Sequence, residues 1–221
     1  MAAAILHDYY RSSAAYRVRI ALNLKGIAYT QRSVNLAGGA QRDESYRELN
    51  PQGFVPMLEI DGLRLTQSLA IADYLDATVK DPPFVPDDPA ARSHVLAMAL
   101  IVTCDIHPLN NLRVLKYLAA SLDVAEEARD SWYRHWVAEG LAALERLAAP
   151  AAGSWLAGEA LSLADICLIP QLYNARRFAV PLDAFPTLLR AEATALAHPA
   201  FVAAHPDRQG SHQSTTLMGA R

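Results

Sequence analysis

A proline-rich stretch, residues 79–89 (VKDPPFVPDDP), divides this sequence into two parts of different character. Its four prolines and three aspartates disfavour helix and strand alike, because proline lacks a backbone N–H and fixes its own φ angle. Short strand and helix patterns precede it, and only helical patterns follow. The sequence therefore predicts two domains, residues 1–80 and 89–205, joined by a linker at 81–88 and followed by a flexible tail at 206–221.

The part before the linker reads β-α-β and then β-β-α, which is the order of a thioredoxin-like domain. Apolar residues at helical spacing end at Gly26, a typical helix stop. Asp61–Gly62 is a strong signal for a tight hairpin between two short strands. The predicted strands span residues 3–9, 29–34, 57–60 and 63–66. Ser12 and Ser13 can cap the first predicted helix, and the second begins at Ser68.

The part after the linker is predicted to be entirely helical, so the fold class is α/β plus all-α. One long helix is expected from Pro89 to Ala120 with a kink at Pro108. Ser162 and Asp165 resemble a capping box at the start of a later helix. Two further helices are expected at residues 126–147 and 185–197, the first with Trp132, Trp136, Gly140, Leu144 and Leu147 on one face.

Charge and composition exclude several classes of protein. The net charge of −3 and the pI of about 6.1 argue against a nucleic-acid-binding protein. Neither an uncharged apolar run of membrane-spanning length nor a basic leader is visible, so we expect a cytoplasmic location without a membrane contact. Cys104 and Cys167 lie among apolar residues and are expected to be reduced and buried, although a disulfide stays an alternative. The histidines show no metal-ligand spacing, so no metal is expected.

Two serines at the first strand-to-helix junction, Ser12 and Ser13, are the first candidates for chemistry. One interpretation is an ordinary helix cap, which the spacing alone favours. The other uses the same geometry: a helix N-terminus carries free N–H groups and partial positive charge, so an exposed hydroxyl there can donate to a ligand anion such as a thiolate. In that case the protein needs no base of its own.

Two further junctions offer ligand contacts. Val55–Pro56 precedes a strand, and a cis bond there would present the backbone of Val55 to a peptide-like ligand, whereas a trans bond would only start the strand. Gln67 and Ser68 stand at the start of the next helix. Ser68 is either a cap or, with Gln67, part of a carboxylate site on the helix N-terminus.

Six segments, in order and without large gaps, together resemble the zeta class of glutathione transferases and, within it, the bacterial maleylacetoacetate isomerases. They are SSAAYRVRIALNLKG, NPQGFVPMLEIDG, TQSLAIADYL, CDIHPLNNLRVLKYL, SLADICLIPQ and NARRF. The resemblance implies the glutathione transferase fold, with a thioredoxin-like glutathione domain and an all-helical domain that completes the substrate site. It also implies a homodimer and a cis bond at Pro56.

The same resemblance implies roles for individual residues. Ser12 corresponds to the hydroxyl that bonds the glutathione sulfur, and Ser12 and Ser13 are the implied catalytic residues. The implied glutathione contacts are Ser12, Ser13, Ala14, Ala15, Tyr16, Arg17, Gln41, Val55, Gln67, Ser68, His107, Asn111, Leu112 and Arg113. One position departs from the family pattern Ser-Ser-Cys: Ala14 replaces the cysteine, which puts in doubt any role that needs a second sulfur.

The implied activity is the glutathione-dependent cis–trans isomerisation of maleylacetoacetate, a small dicarboxylic acid, by reversible thiolate addition. Arg177 and Arg11 are the implied partners of the substrate carboxylates, and Arg176, which is adjacent to Arg177, is an alternative for this role. The alternatives are maleylpyruvate isomerase, a broader transferase acting on α-haloacids, and a non-catalytic glutathione-binding protein. All of these arginines also have an ordinary interpretation as surface ion-pair partners.

Overall fold

The structure is a computed structural model and describes residues 4–209. The chain divides into two compact units. Of the described residues, the first unit contains 4–75 and 200–209, and the second contains 76–199. The return of the chain to the first unit has no counterpart in the sequence pattern, which predicts a single boundary near residue 80.

A four-stranded mixed sheet forms the centre of the first unit, in the order β2-β1-β3-β4. β1 pairs in parallel with β2 and antiparallel with β3, which places Leu6 between Gln31 and Leu58. Asp61 and Gly62 both have positive φ angles, 52° and 77°, as the predicted tight hairpin requires. The elements are β1 (Ala4–Asp8), α1 (Ser13–Leu24), β2 (Tyr29–Ser33), α2 (Glu44–Arg47), β3 (Met57–Ile60), β4 (Leu63–Thr66) and α3 (Ser68–Thr78).

The segment from Ala200 onward is held against α1 by side-chain hydrogen bonds, and Gln31 of β2 donates to Gln209 Oε1 at 2.8 Å. Arg19 donates to the carbonyl of Ala204, and Asn23 donates to that of Ala200. Pro206–Arg208 forms a short 3₁₀ helix, although the sequence predicts that the flexible tail begins at residue 206. The rest of that predicted tail, from residue 210, lies outside the described residues.

The second unit is helical, as predicted. Its elements are α4 (Pro89–Leu100), a π-helical segment (Ile101–Ile106), α5 (Leu112–Leu122), α6 (Glu126–Ala148), α7 (Leu163–Arg177) and α8 (Pro186–Ala197). α9 (Pro199–Ala204) leads into the first unit. α7 is the central helix, since eleven of its fifteen residues are buried.

The single long helix predicted from Pro89 to Ala120 is wrong. The α-helical hydrogen bonding ends at Leu100, and the π-helical segment is followed by turns. Pro108 has no N–H to continue the ladder. Asn111 then starts a new helix, because its Oδ1 accepts from the N–H of Arg113 at 3.0 Å.

The predicted face of α6 is displaced by about one residue. The side chains that α6 buries are Tyr133, Val137, Leu141, Leu144 and Ala148. The two tryptophans of the predicted stripe are only partly buried. The indole N–H of Trp132 donates to the carbonyl of Leu109 at 2.9 Å, which explains its half-exposed position.

The predicted capping box at the start of α7 is confirmed. Asp165 Oδ2 accepts from the N–H and the hydroxyl of Ser162, at 2.9 and 2.8 Å, and Oδ1 accepts from the N–H of Leu156 at 2.9 Å. Burial raises the pKa of Asp165, while these hydrogen bonds act in the opposite direction. The carboxyl therefore joins the preceding loop to the helix start.

The expected reduced state of the cysteines is confirmed, but the expected burial of both is wrong. Cys104 and Cys167 are free thiols. Cys167 is fully buried on α7, whereas Cys104 is exposed on the π-helical segment. Residues 89–106, with a mean hydropathy of 1.2, meet the length and composition of a membrane span, but a core helix meets the same test. Val95, Met98 and Val102 of this segment are buried in the protein.

Candidate active site

The turn between β1 and α1 carries Ser12, whose side chain caps the helix as the sequence predicts. Ser12 has extended backbone angles, and its Oγ accepts from the N–H of Ala15 at 3.2 Å. The N–H of Ser12 in turn donates to the carbonyl of Tyr9 at 2.8 Å. The hydroxyl oxygen is therefore fixed at the positive end of a twelve-residue helix, and the side chain stays partly exposed.

The residues that follow Ser12 differ in their access to a ligand. Ala14 is partly exposed, but Ser13, Ala15, Tyr16 and Arg17 are buried in the first unit. Ala15 and Tyr16 retain at most 1% of their exposure, so their side chains support the helix, and their implied contacts with glutathione stay predictions. Ser13 is the first helical residue, and its backbone belongs to the turn whose N–H groups lack intrahelical partners.

The segment that contains the bond between Val55 and Pro56 is held by two side chains that the sequence reasoning missed. Tyr46 Oη and Asn50 Nδ2 both donate to the carbonyl of Phe54, at 2.6 and 2.8 Å. The Val55–Pro56 bond is cis, as the resemblance implies. Burial raises the pKa of Tyr46 to about 12, so its phenol remains a donor at physiological pH.

The backbone of Val55 is available for recognition. Within residues 4–209 no hydrogen bond to its N–H or C=O is formed. A peptide-like ligand that extends along this edge would supply both partners, as an added strand does. In the segment NPQGFVP, Asn50 lies four residues before Phe54, whose carbonyl accepts its hydrogen bond. This spacing is the sequence signal for the arrangement.

The start of α3 brings together Gln67, Ser68 and Arg17. Gln67 has a φ angle of 67°, a left-handed conformation that is uncommon outside glycine and is typical of functional turns. Its side-chain amide donates to Gln52 Oε1 at 2.7 Å. Ser68 Oγ accepts from Arg17 Nη1 at 3.0 Å, and both of these side chains are buried.

Gln41 lies in a 3₁₀ helix (Ala40–Arg42) beside the turn that contains Gly53. Gly53 has a φ angle of +62°, and a Cβ on it would lie 2.7 Å from the Gln41 carbonyl oxygen, so only glycine permits this approach. Gln41 Oε1 is shielded from solvent and has no hydrogen-bond partner in the described chain. The contact of Gln41 with glutathione that the resemblance implies stays a prediction.

The remaining implied glutathione contacts belong to the helical unit. Asn111 Nδ2 lies 3.5 Å from His107 Nε2, so these two side chains are neighbours. Leu112 and Arg113 are exposed on the first turn of α5. The structure brings His107 and Asn111 together within this unit, and a role in glutathione binding stays a prediction for all four residues.

The two neighbouring arginines at the end of α7 have different environments. Arg176 makes a two-pronged ion pair with Glu192 of α8, so its guanidinium is committed to joining these helices. Arg177 stays exposed, with its guanidinium carbon 5.8 Å from the ring centroid of Phe178, which stacks on Tyr133. Burial raises the pKa of Tyr133, and the charge of Arg177 opposes that shift.

Arg11, in the first unit, is also exposed, and its guanidinium carbon lies 5.0 Å from the ring centroid of Tyr10. An aromatic face orients a guanidinium without using its N–H donors. Arg177 Nη1 donates to Asn174 Oδ1 at 3.3 Å, which leaves its other N–H groups for an anion. Arg176 thus has a carboxylate partner in the protein, whereas Arg177 and Arg11 have none among the described residues, and the binding of a substrate carboxylate by any of them stays a prediction. This choice between adjacent arginines is not readable from the sequence.

Comparisons with known proteins agree with this geometry. The family of glutathione S-transferase N-terminal domains matches residues 6–83. The probable maleylacetoacetate isomerase of Vibrio cholerae is 49% identical over 212 residues, which cover 95% of this chain and 98% of that protein.

Two solved structures extend the similarity to the whole fold. A holo maleylpyruvate isomerase, described as a bacterial zeta-class glutathione S-transferase, has a TM-score of 0.92 and 38% identity, covering 94% of this chain and 99% of its own. The maleylacetoacetate isomerase of Methylobacterium extorquens AM1, with bound malonate and glutathione, has a TM-score of 0.90 and 40% identity, covering 93% and 98%.

Proposed function

The chain belongs to the zeta-class glutathione transferases, among the maleylacetoacetate isomerases, and on this basis we propose that it isomerises maleylacetoacetate to fumarylacetoacetate with glutathione as cofactor. The observation that carries the proposal is the hydrogen bonding of Ser12. Its Oγ already accepts from the N–H of Ala15, so its one hydroxyl proton points elsewhere and is available to donate. A thiolate is the acceptor that suits a donor at a helix N-terminus.

The other contacts fit glutathione as well. The backbone of Val55 offers a donor and an acceptor to a peptide. Ser68 stands at a helix start where a carboxylate is favoured. These groups all belong to the first unit, and each supports a different part of a γ-glutamyl tripeptide.

The thiol must be ionised for the reaction. A free thiol with a pKa of about 8.5 is only a few per cent thiolate at pH 7, and a pKa of about 7 makes it half ionised. This change corresponds to about 2 kcal/mol of preferential stabilisation of the anion. A hydrogen bond to a charged group contributes about 1.5–3 kcal/mol and a helix N-terminus about 0.3–1 kcal/mol, so Ser12 and α1 suffice together.

When bound, glutathione would supply a thiolate that adds to the alkene carbon conjugated to the carbonyl, which converts the double bond to a single bond. After rotation about this bond, loss of the thiolate would restore the alkene in the trans form. The Ser12 hydroxyl holds the sulfur as an anion before addition and receives it again at the end. N–H groups in the first turn of α1, or the Ser13 hydroxyl, are placed to stabilise negative charge that develops on the substrate carbonyl oxygen. No proton is removed from carbon, so no protein base is needed.

We propose that Arg177 binds a substrate carboxylate, with Arg11 as a second candidate. Arg177 is exposed, is oriented by an aromatic ring and is not committed to a buried partner, unlike Arg176. The solved relative that holds malonate together with glutathione is consistent with a dicarboxylic acid as the class of substrate.

Maleylpyruvate is the second candidate substrate, because a similar solved structure is named a maleylpyruvate isomerase. Both acids have a cis alkene conjugated to a carbonyl, so the same residues serve both. A transferase reaction on α-haloacids would use the same thiolate to displace a halide. Ala14 does not exclude any of these reactions, because glutathione brings its own sulfur.

The decisive experiment follows the absorbance of each cis acid with purified protein and glutathione. We expect glutathione-dependent isomerisation of maleylacetoacetate without net consumption of glutathione. Turnover of maleylpyruvate alone would transfer the assignment to the second candidate. Binding of glutathione without turnover of either acid would leave only a glutathione-binding protein and contradict the proposed activity.

Ser12→Ala tests the residue that carries the proposal, with Ser12→Thr as the matched control that keeps a hydroxyl. At pH 7 we expect the alanine variant to lose at least about tenfold in rate, because the thiol pKa returns toward its free value. The loss should shrink as the pH rises through that value. An equal loss at every pH would show that Ser12 does not act on the ionisation of the thiol.

The proposal includes a cytoplasmic homodimer, as expected for the zeta class. Large apolar side chains are exposed in both units, for example Leu63 on β4 and Leu100 on α4, and a partner subunit would cover such residues. Sedimentation of the full chain tests this part. A monomer at micromolar concentration would contradict it.

A further inference from the structure

Arg17 is a buried cation that the proposed mechanism does not yet use. It lies on α1, five residues after Ser12, and only 3% of it is exposed. Arginine is rarely buried to this extent unless its guanidinium has specific partners. Its Nη1 donates to the hydroxyl oxygen of Ser68, the first residue of α3, which is itself 7% exposed. A fixed positive charge therefore lies directly beneath the start of α3.

This hydrogen bond determines which way the Ser68 hydroxyl points. A guanidinium has N–H donors and no acceptor, so the Ser68 oxygen must be the acceptor in the bond. The single proton of the hydroxyl is then directed away from Arg17. A hydroxyl that accepts from a cation is also polarised, which makes it a stronger donor toward the next group in the chain of hydrogen bonds.

The group that receives this proton must be an acceptor, and the surroundings favour a negative one. α3 has eleven residues, and its N-terminus adds partial positive charge from its free N–H groups. The side-chain amide of Gln67 lies at the same helix start. The donors at this point therefore match the α-carboxylate at the γ-glutamyl end of glutathione, which the proposed function places here.

We propose that Arg17 is a positioning residue that acts through Ser68 and makes this end of the site selective for a carboxylate. The inference rests on the proposed binding of glutathione. Arg17 does not touch the ligand in this arrangement, because it is buried. It orients the Ser68 proton and supplies the charge that favours an anion. Since Arg17 lies on the helix that Ser12 caps, the bond also fixes the start of α3 relative to the thiol-binding turn.

The test compares two ligands, glutathione and its analogue 4-aminobutyryl-cysteinyl-glycine. The analogue lacks only the α-carboxylate of the γ-glutamyl residue and keeps its amino group and chain length. Their dissociation constants are measured by calorimetry with the wild type, Arg17→Met, Arg17→Lys, Ser68→Ala and the double variant Arg17→Met/Ser68→Ala. Arg64→Met, on an exposed arginine of β4, is the matched control.

We expect Arg17→Met to weaken glutathione binding by about tenfold or more, in line with a charge-assisted hydrogen bond. Its affinity for the analogue should change by less than about twofold. The double variant should bind glutathione no more weakly than Ser68→Ala, because both substitutions act on the same hydrogen bond from Ser68 to the carboxylate. Arg17→Lys should lie between the wild type and Arg17→Met, and Arg64→Met should match the wild type.

A structural role alone would give a different result. Equal weakening of both ligands by Arg17→Met, or additive losses in the double variant, would overturn the inference. If Arg17→Met does not fold, Arg17→Lys and Ser68→Ala decide it, since each must still lose more affinity for glutathione than for the analogue. A wild type that binds neither ligand would instead refute the proposed function.

Discussion

The buried pair of Asp8 and Arg19 provides the sharpest prediction about stability. Arg19 is fully buried, and its three nitrogen groups donate to three different segments. Nη1 donates to Asp8 Oδ2 at 2.7 Å, Nη2 to the carbonyl of Tyr10 at 3.1 Å and Nε to that of Ala204 at 2.9 Å. One side chain thus joins the end of β1, the turn before Ser12 and the returning segment of the chain.

The change to make is Asp8→Leu, which leaves a charged guanidinium in the core without its carboxylate. Loss of one partner of a buried ion pair costs about 3–5 kcal/mol. The free energy of unfolding of a typical protein is about 5–15 kcal/mol, so this loss is a large part of the whole. Arg19→Met should destabilise at least as strongly, because two carbonyl groups also lose a donor.

Denaturant unfolding of the two single variants and the double variant Asp8→Leu/Arg19→Met measures the coupling between the side chains. We expect the double variant to be more stable than the sum of the single losses predicts, by about 2–3 kcal/mol. Arg134→Met is the matched control: its contact with Asp130 is 4.0 Å long and exposed, so the change should stay within about 0.5 kcal/mol. Additive losses, or a small loss in Asp8→Leu, would refute the reasoning.

Three smaller predictions test other contacts. The hydrogen bond from His7 lowers the pKa of Glu59, so its stabilisation is present above the ordinary pKa of a glutamate and is lost as the pH falls through the lowered value. Glu59→Gln should therefore reduce the denaturation midpoint at pH 7, and this loss should shrink steadily as the pH falls below the ordinary pKa. Gly140→Ala should lower the free energy of unfolding by about 1–3 kcal/mol, because a Cβ at this position overlaps Ile106. A lower melting temperature would show this loss. Asn111→Ala should destabilise by about 1 kcal/mol in denaturant unfolding through loss of the α5 cap, and an unchanged midpoint would contradict that cap.

Local patterns predicted most of the first unit, because its turns are specified by short signals. Asp61–Gly62 requires two positive φ angles, and Gly26 ends α1 in the left-handed conformation. Such signals act within a few residues, so they survive without knowledge of the tertiary structure. The start of α7 was predictable for the same reason, since the capping box of Ser162 and Asp165 is contained in four residues.

The features that the sequence did not reveal depend on contacts between distant residues. The return of the chain to the first unit depends on Arg19 and Ala204, which are 185 residues apart. The commitment of Arg176, and not Arg177, depends on Glu192 of another helix. Arginine is usually exposed, so without these partners the pattern favours a surface role for all of them. The fold class needed only local signals, whereas the roles of the arginines needed the tertiary structure.

The structure also removes an apparent choice at Ser12. A helix cap and a thiolate donor seemed to be competing interpretations of one hydroxyl, but they use different parts of it. The cap uses a lone pair of Oγ, which accepts from Ala15, and the proposed chemistry uses the proton. The cap supports the proposed chemistry, because it fixes the oxygen and directs the proton away from Ala15. Ser68 repeats this arrangement with Arg17 as the fixed donor. A serine that already accepts from the protein is therefore the better donor to an anionic ligand, which explains two serines at helix starts without a neighbouring base.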